Sequence, residues 1–322
     1  MDHCGVVMPD LSALSPWQWG AVAAAILVVL AHYKTSRADG IFVRNVHPYR
    51  RLMWFVMPTR NECVVYYEDK IRAERLEAYL DRVRPTLGCN ITHAYVAALN
   101  VAIAESPTMD QFVIGRRIYK RKERSITFSM KRKAKDAKAK IAVVRMPMDD
   151  AESFSGLAGR INASINHQRS GKKTHADREY QLFDLLPRTG LRFFVWVFHA
   201  LDYINLLPYA FTKEDALYSS AVVANLGSLE MDAAYHHLYE WGTASVFATV
   251  GRIKEEPVVV NGKIEVGKVL TVRYSYDERI DDGLSARKAI WRVNEILADP
   301  ETHLGCTGDE TEHGPMVTRL EG

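Results

Sequence analysis

The chain has 322 residues and a formal net charge of +3, and its 48% hydrophobic and 25% charged residues are ordinary for a globular protein. The length is sufficient for one large domain or two small ones with a well-buried core. The four cysteines, at positions 4, 63, 89 and 306, are far apart and form no Cys-x-x-Cys pair. This spacing argues against a zinc site or a disulfide framework and favours a reducing compartment.

The N-terminal part of the chain contains an apolar segment. Residues 11–33 carry no formal charge, and residues 20–31 are almost wholly Ala, Val, Ile and Leu. As a helix this segment would extend for roughly 34 Å, enough to cross the hydrocarbon core of a bilayer. Trp17, Trp19 and Tyr33 lie at its two ends, as aromatic residues do at a membrane surface. The sequence therefore predicts a transmembrane helix over residues 11–33.

The charges on either side of this segment indicate an orientation. Asp2 and Asp10 precede it, which argues against a secretory signal peptide, and basic residues beginning with Lys34 follow it. This bias predicts that the N-terminal segment 1–33 anchors the chain in a membrane, with the main domain on the cytoplasmic side. The alternative is an Ala-rich helix packed in a protein core or an oligomer interface of a soluble cytoplasmic protein.

The remainder of the chain alternates predicted strands and helices. A connector over residues 34–48 leads to a domain over residues 49–305, and residues 306–322 form a polar tail that we expect to be disordered. Hydrophobic periodicity predicts helices over residues 69–83, 92–105 (capped by Thr92), 151–169 and 284–297, and strands over residues 63–67, 221–224, 245–250 and 269–276. The pair Asn261-Gly262 predicts a hairpin turn.

A strongly basic stretch lies between residues 116 and 140. It holds 12 Lys or Arg residues against Glu123 and Asp136, an excess of ten positive charges. Three interpretations are open: an edge strand or hairpin protected by lysines, attraction to an anionic membrane surface, and attraction to the phosphates of a nucleotide-bearing substrate. No recognised nucleic-acid-binding motif accompanies the charge, so we expect no nucleic acid as a partner.

Residues 191–211 form a second unusual stretch, because they combine many aromatic residues with Arg192, His199, Asp202 and Asn205. The polar residues make this stretch a poor transmembrane helix and would lie on part of one helix face. It is either an interfacial or intersubunit helix or a helix of the buried core.

The last third of the chain carries two motifs. Asn225-Leu226-Gly227 follows a predicted strand, and the stretch from Asp277 to Gly283 (Asp-Glu-Arg-Ile-Asp-Asp-Gly) precedes a helix and the sequence Leu-Ala-Asp-Pro. In order, spacing and local sequence, this region resembles the catalytic domain of the dihydrolipoyl acyltransferases of 2-oxoacid dehydrogenase complexes, which is similar to chloramphenicol acetyltransferase. The resemblance covers roughly 80 residues, and a weaker one extends back to about Tyr49.

The resemblance implies an α/β fold of the two-layer α+β kind, with a chloramphenicol-acetyltransferase-like mixed sheet and flanking helices. It also implies homotrimers with active sites between subunits. It also implies a coenzyme A thioester as co-substrate, with no tightly bound cofactor. In place of the family's mobile lipoyl and peripheral-subunit-binding domains, this sequence has the apolar N-terminal segment and the connector.

Two departures from the family pattern affect its chemistry. The family signature is Asp-His-Arg-x-x-Asp-Gly, with the histidine as general base, and Glu278 occupies the place of the histidine. The family writes Ser-Asn-Leu-Gly or Ser-Ser-Leu-Gly at the other motif. Ala224 therefore replaces a serine that helps to stabilise the oxyanion.

Four residues keep the family signature: Asp277, Arg279, Asp282 and Gly283. By analogy with the family, Asp282 is expected in an ion pair and Gly283 in a tight turn, both with structural roles. Gly227 keeps the last position of the other motif.

The replaced base changes the expected chemistry. A thiol near pKa 8.5 and an unperturbed glutamate near 4.3 are mismatched by about four units, although burial raises a glutamate to about 6–7. Loss of one oxyanion donor costs on the order of 100- to 1,000-fold in rate. His236 and His237 lie between the two strands that frame the region. Either one of them supplies the missing imidazole, or both are ordinary histidines that are partly exposed or hydrogen-bonded within the core. We expect no metal at these residues.

Two functions follow from these residues. The first is a divergent acyltransferase that uses an acyl-coenzyme A or acyl-carrier thioester and a membrane-proximal acceptor. Its base would be Glu278, His236 or His237, and Asn225 with nearby backbone N–H groups would hold the oxyanion. The second is a catalytically inactive trimeric scaffold, or a module that binds an acyl carrier or another protein. The first is favoured, because a titratable residue still fills the position of the base.

Overall fold

The protein is described here by a computed structural model, which describes residues 15–131, 141–170 and 183–305. Its strands are β1 (Gly40–Phe42), β2 (Val64–Arg72), β3 (Gln111–Ile114), β4 (Arg117–Arg121), β5 (Ser125–Lys131), β6 (Ile141–Pro147), β7 (Ala221–Asn225), β8 (Val246–Val260) and β9 (Lys263–Asp277). Its helices are α1 (Pro16–Tyr33), α2 (Pro48–Val56), α3 (Glu74–Leu87), α4 (Ile91–Glu105), α5 (Phe154–Arg169), α6 (Arg188–Tyr203), α7 (Tyr209–Glu214), α8 (Gly283–Ala298) and α9 (Pro300–Leu304).

The main sheet has six strands in the order β2-β9-β8-β7-β5-β6. The pairs β5–β7 and β7–β8 are parallel, and the other three pairs are antiparallel. A second sheet has the order β1-β4-β3. The mixed sheet with helices beside it confirms the expected α/β class.

One face of the main sheet carries the core. α3, α4, α5 and α8 contribute their buried residues to one large cluster with Leu270, Val272 and Tyr274 of β9. α4 is buried from His93 to Ile103, because its small alanine side chains allow neighbouring helices and the sheet to approach it closely on several sides. Asn90, and not the predicted Thr92, caps this helix, accepting a hydrogen bond from the Thr92 N–H.

The boundary between β2 and α3 differs from the sequence prediction. A helix was expected from residue 69, but β2 continues to Arg72 and α3 begins at Glu74. β2 pairs with β9 over nine residues, from Val64 opposite Asp277 to Arg72 opposite Val269. The ladder hydrogen bonds therefore override the helical periodicity of this segment.

The N-terminal helix α1 does not pack in the core of its own protomer. Large apolar side chains on all its sides are exposed, including Leu27 (66%), Val28 (69%) and Leu30 (61%). Residues 11–14 of the predicted segment lie outside the described residues, and the apolar part of the helix is Pro16–Leu30. No single helix within the described ranges is both long and apolar enough to cross a membrane, although the bent pair α3–α4 meets this criterion jointly.

The segment expected as a connector takes part in the folded domain. β1 lies within residues 34–48 and pairs with Tyr119–Arg121 of β4. Arg37 is buried and forms an ion pair of 2.7 Å with Asp202 of α6. The predicted tail 306–322 lies outside the described residues.

Candidate functional site

The signature motif forms the turn between β9 and α8. Asp277 is the last residue of β9 and is fully buried. Arg279 donates from Nε to Oδ1 at 2.9 Å and from Nη2 to Oδ2 at 2.8 Å. Burial raises the pKa of Asp277, but the hydrogen bond and charge of Arg279 outweigh it and leave the pKa lowered. The Arg279–Asp277 pair therefore fixes the conformation of the turn where it leaves β9.

The segment before β2 holds this turn from the other side. The Cys63 thiol donates to Oδ1 of Asp277 at 3.0 Å, and the Cys63 carbonyl accepts from the Glu278 N–H at 3.0 Å. Burial and then the charge of Asp277 raise the pKa of the thiol, so Cys63 is a structural donor and not a nucleophile. Arg60, also buried, donates to the Ala244 carbonyl at 2.7 Å.

Sequence reasoning missed Cys63 and Arg60 as supports of the motif. Their partners lie 214 and 184 residues away in the chain, so no local spacing marks them. The spacing of the cysteines assigns no role to Cys63, and it is the pairing of Val64 of β2 with Asp277 of β9 that brings Cys63 beside Asp277.

Glu278 points out of the folded domain. Its side chain is exposed, and no hydrogen bond or ion pair of its carboxylate is found within the described ranges. Its charge, after burial, contributes to raising the pKa of Tyr276, a core residue on the helix side of the sheet. The residue that the resemblance places at the position of the base therefore carries a carboxylate that faces solvent.

Asp282 and Gly283 have structural places that differ from those expected. Asp282 caps α8, with Oδ1 accepting from the N–H groups of Leu284 (3.0 Å) and Ser285 (3.3 Å). The ion pair expected for Asp282 is made one residue earlier, between Asp281 and Arg50 at 3.1 Å. Gly283 is the first residue of α8, and a Cβ there would come no closer than 3.9 Å to the Tyr276 hydroxyl, so neither space nor a turn requires glycine.

The second motif lies at the end of β7. Asn225 donates from Nδ2 to the Thr92 hydroxyl at 2.9 Å, and its Oδ1 accepts from the Ser228 N–H at 3.1 Å. The amide of Asn225 thus orders the loop and the start of α4. Ala224, next to it, packs against a small apolar cluster on the opposite face of the sheet. Gly227 lies against the Gly251 carbonyl, where a Cβ would clash.

His236 and His237 lie on that opposite face. The His236 ring stacks on Phe247, with centroids 3.9 Å apart, and on His237 at 4.7 Å. Its Nδ1 lies 2.7 Å from the His237 carbonyl. Burial lowers the pKa of His236. The structure shows no contact between either histidine and Glu278, whose neighbour Tyr276 belongs to the helix side of the sheet.

The register of the sheet separates the two motifs within one protomer. The backbone N–H of Asp277 bonds to the Ser245 carbonyl just before β8, whereas Asn225 pairs with Val250 further along that strand. Five residues at about 3.3 Å each place these points roughly 17 Å apart. Glu278 and Asn225 therefore lie at opposite ends of the sheet. Across the described ranges, no group of three or more His, Cys, Asp or Glu residues is arranged to hold a metal.

Comparison with known proteins agrees with this fold. Residues 210–305 match the family model of the 2-oxoacid dehydrogenases acyltransferase (catalytic domain), which confirms the resemblance expected from the sequence over that segment. The structure is similar to a probable dihydrolipoamide acetyltransferase from Listeria monocytogenes 4b F2365, with a TM-score of 0.54 and 17% identity over 82% of this chain and 99% of that one.

Two further solved structures share the fold. The cubic core of the pyruvate dehydrogenase multienzyme complex matches with a TM-score of 0.52 and 16% identity, over 81% of this chain and 93% of that one. A chloramphenicol acetyltransferase matches with a TM-score of 0.50 and 11% identity, over 80% and 99%. At these identities the similarity establishes the chloramphenicol-acetyltransferase-like fold.

Proposed function

We propose that the chain is a divergent acyltransferase that takes an acyl group from a coenzyme A or related thioester. The observation that carries this proposal is the family match over residues 210–305, which contains both motifs. In the reaction, a base removes the proton from an acceptor hydroxyl or thiol, and the acceptor oxygen or sulfur attacks the thioester carbonyl to form a tetrahedral intermediate. The C–S bond then breaks, and the carrier thiolate takes the proton back from the base and leaves as a thiol. Glu278 is the proposed base, because it occupies the base position of the family signature.

The site is proposed to form between protomers of a homotrimer. Glu278 and Asn225 are too far apart in one protomer to act on the same carbonyl, so a second copy must bring the Asn225 end of its sheet to the Glu278 end of the first. The related solved structure is the cubic core of a multienzyme complex. Contact with a second protomer would take Glu278 out of water, and desolvation makes a carboxylate a stronger base.

A hairpin arm supports this assembly. Beyond the Asn225 end of the sheet, β8 and β9 continue as a two-stranded arm in which Val259 pairs with Ile264 and Pro257 with Val266. These residues lie on one face of the arm, and Val259, Ile264 and Val266 are 72–79% exposed. An apolar face of this kind is suited to a neighbouring protomer.

We also propose that α1 attaches the chain to a membrane, with the acyltransferase domain on the cytoplasmic side. The support is its exposed apolar surface, which includes Trp17 (73%) near its N-terminal end and Leu27 (66%) and Leu30 (61%) further along. Deletion of residues 11–33 should move the protein from the membrane fraction to the soluble fraction. Unchanged fractionation would instead favour a soluble oligomer in which α1 is covered by another protomer.

The alternative function is a catalytically inactive scaffold, or a module that binds an acyl carrier or another protein. It is favoured by the Asn225 amide, one of whose two N–H donors is already engaged by the Thr92 hydroxyl, and by the missing hydroxyl at Ala224.

Calorimetric titration of the purified chain with coenzyme A and acetyl-coenzyme A tests the proposal. Micromolar binding that accompanies a trimer in sedimentation supports the acyltransferase. An intact trimer that binds neither compound up to millimolar concentration would support the scaffold.

A further inference from the structure

Helix α6 presents aromatic side chains to solvent. Phe193, Trp196 and Tyr203 are 64%, 65% and 48% exposed, and their spacing places them on one side of the helix. The polar residues Asp202 and Asn205, which the sequence placed on a polar face, are instead buried. The outward face of α6 therefore carries aromatic side chains, whereas Asp202 of α6 and Asn205, two residues after its end, lie inside the domain.

The exposed apolar surface continues onto α2. Leu52 and Phe55 of α2 are each 58% exposed. The Arg116 guanidinium lies 4.7 Å from the centroid of the Phe55 ring. Its neighbour Gly115 lies directly against the Tyr203 carbonyl, at a positive φ of 56° where a Cβ would clash. The turn between β3 and β4 thus joins the two helices, and we call Leu52, Phe55, Phe193, Trp196 and Tyr203 the aromatic surface.

The end of α1 is fixed beside this surface. Asn205 donates from Nδ2 to the carbonyl of Lys34, one residue after α1, at 2.9 Å. Arg37 forms the buried ion pair of 2.7 Å with Asp202 and also donates to the Asp202 carbonyl at 3.2 Å. Residues after α1 are therefore held at the C-terminal end of α6.

We infer that the aromatic surface contacts an anionic phospholipid bilayer, as a second membrane contact beside α1. The inference rests on the proposed membrane attachment by α1 but concerns different residues. Exposed aromatic side chains suit the interfacial region of a bilayer. The exposed cations Arg51, Arg188 and Arg192 lie on the same two helices and complement anionic headgroups.

Fluorescence quenching tests this contact with the full-length chain. The probes are vesicles of phosphatidylcholine with a minority of phosphatidylglycerol, with bromine on the acyl chains, which quench tryptophans that they touch. We expect the Trp196→Phe variant to lose part of the quenched fluorescence of the wild type. Trp291→Phe is the matched control, because Trp291 is also exposed (55%) but lies on α8, and its loss should leave the quenched part unchanged.

A charge variant provides the second measurement. Arg188→Gln with Arg192→Gln should reduce the quenching assigned to Trp196, and the effect should vanish on vesicles of phosphatidylcholine alone. Each basic side chain near an anionic surface is expected to change local binding by about fivefold.

Three results would overturn the inference. Equal quenching of wild type and Trp196→Phe on bound vesicles would show that α1 attaches the chain while the aromatic surface stays off the bilayer. If Trp196→Glu also changed the oligomeric state in sedimentation, the surface would be a contact between copies of the chain. Absence of vesicle binding by the full-length chain would reject both this inference and attachment by α1.

Discussion

Arg279 donates two parallel hydrogen bonds, 2.9 and 2.8 Å long, to the carboxylate of Asp277, which is fully buried. Removing one partner of such a pair leaves a buried charge uncompensated. Arg279→Met should therefore lower the free energy of unfolding by about 3–5 kcal/mol. Chemical denaturation followed by circular dichroism measures the change.

The matched control for this variant is Arg252→Met. Arg252 and Asp232 form an ion pair of 3.0 Å whose side chains are about half exposed, and such pairs contribute up to about 1 kcal/mol. Equal losses in the two variants would mean that the buried Arg279–Asp277 pair contributes no more to stability than an exposed ion pair.

We expect the partial burial of His236 to make the stability of the protein depend on pH. Burial lowers its pKa in the folded state, so the unfolded chain binds the proton more readily. This contribution to stability is present above the unfolded pKa of about 6.5 and is lost as pH falls below it. His236→Phe keeps a ring against Phe247 but does not titrate. Between pH 7 and pH 5, the denaturation midpoint of the wild type should fall by more than that of the variant. If the two midpoints fell in parallel, His236 would not be a source of the pH dependence.

Several of these elements were predictable from the sequence, because their signals are local. Asn261-Gly262 forms the expected hairpin turn, with φ angles of 50° and 78°, and the helix predicted over residues 284–297 is observed as Gly283–Ala298. The pair Arg37–Asp202 was not predictable, since it joins residues 165 positions apart in sequence. The same applies to Asn225, whose partner Thr92 is brought to it only by the packing of α4.

We expect assembly to depend on the apolar face of the hairpin arm. Ile264→Asp places a charge in the proposed interface, where burial of the native side chain would contribute about 1.5–3 kcal/mol. We expect the variant to sediment as a smaller species than the wild type. Lys263→Asp is the control, because it changes charge at the adjacent position on the other face of the arm. A trimer that survives Ile264→Asp would locate the contact elsewhere.

The base assignment is tested by Glu278→Gln, which keeps the shape of the side chain but removes its basicity. General bases contribute about 100- to 10,000-fold in rate, so acyl transfer from acetyl-coenzyme A should fall by at least about 100-fold with little change in the unfolding midpoint. Glu265→Gln, on the exposed arm, should retain full activity and serves as the control. If His236→Phe and not Glu278→Gln removed activity, the histidine would be the base.

Restoring the family's residues at positions 224 and 278 distinguishes the acyltransferase proposal from the inactive-scaffold alternative. Ala224 is half-buried at the end of β7, and a serine adds only a hydroxyl to it. In an acyltransferase whose carbonyl site lies between protomers, Ala224→Ser supplies an oxyanion donor, and Glu278→His supplies a base with a pKa near neutrality. The double variant should then transfer acetyl groups faster than the wild type, by up to about 100- to 1,000-fold for the donor alone. Coenzyme A release, followed with a thiol reagent, measures this rate. A double variant that is folded, trimeric and still inactive would mean that the carbonyl site itself is missing, because both missing groups would be present without effect.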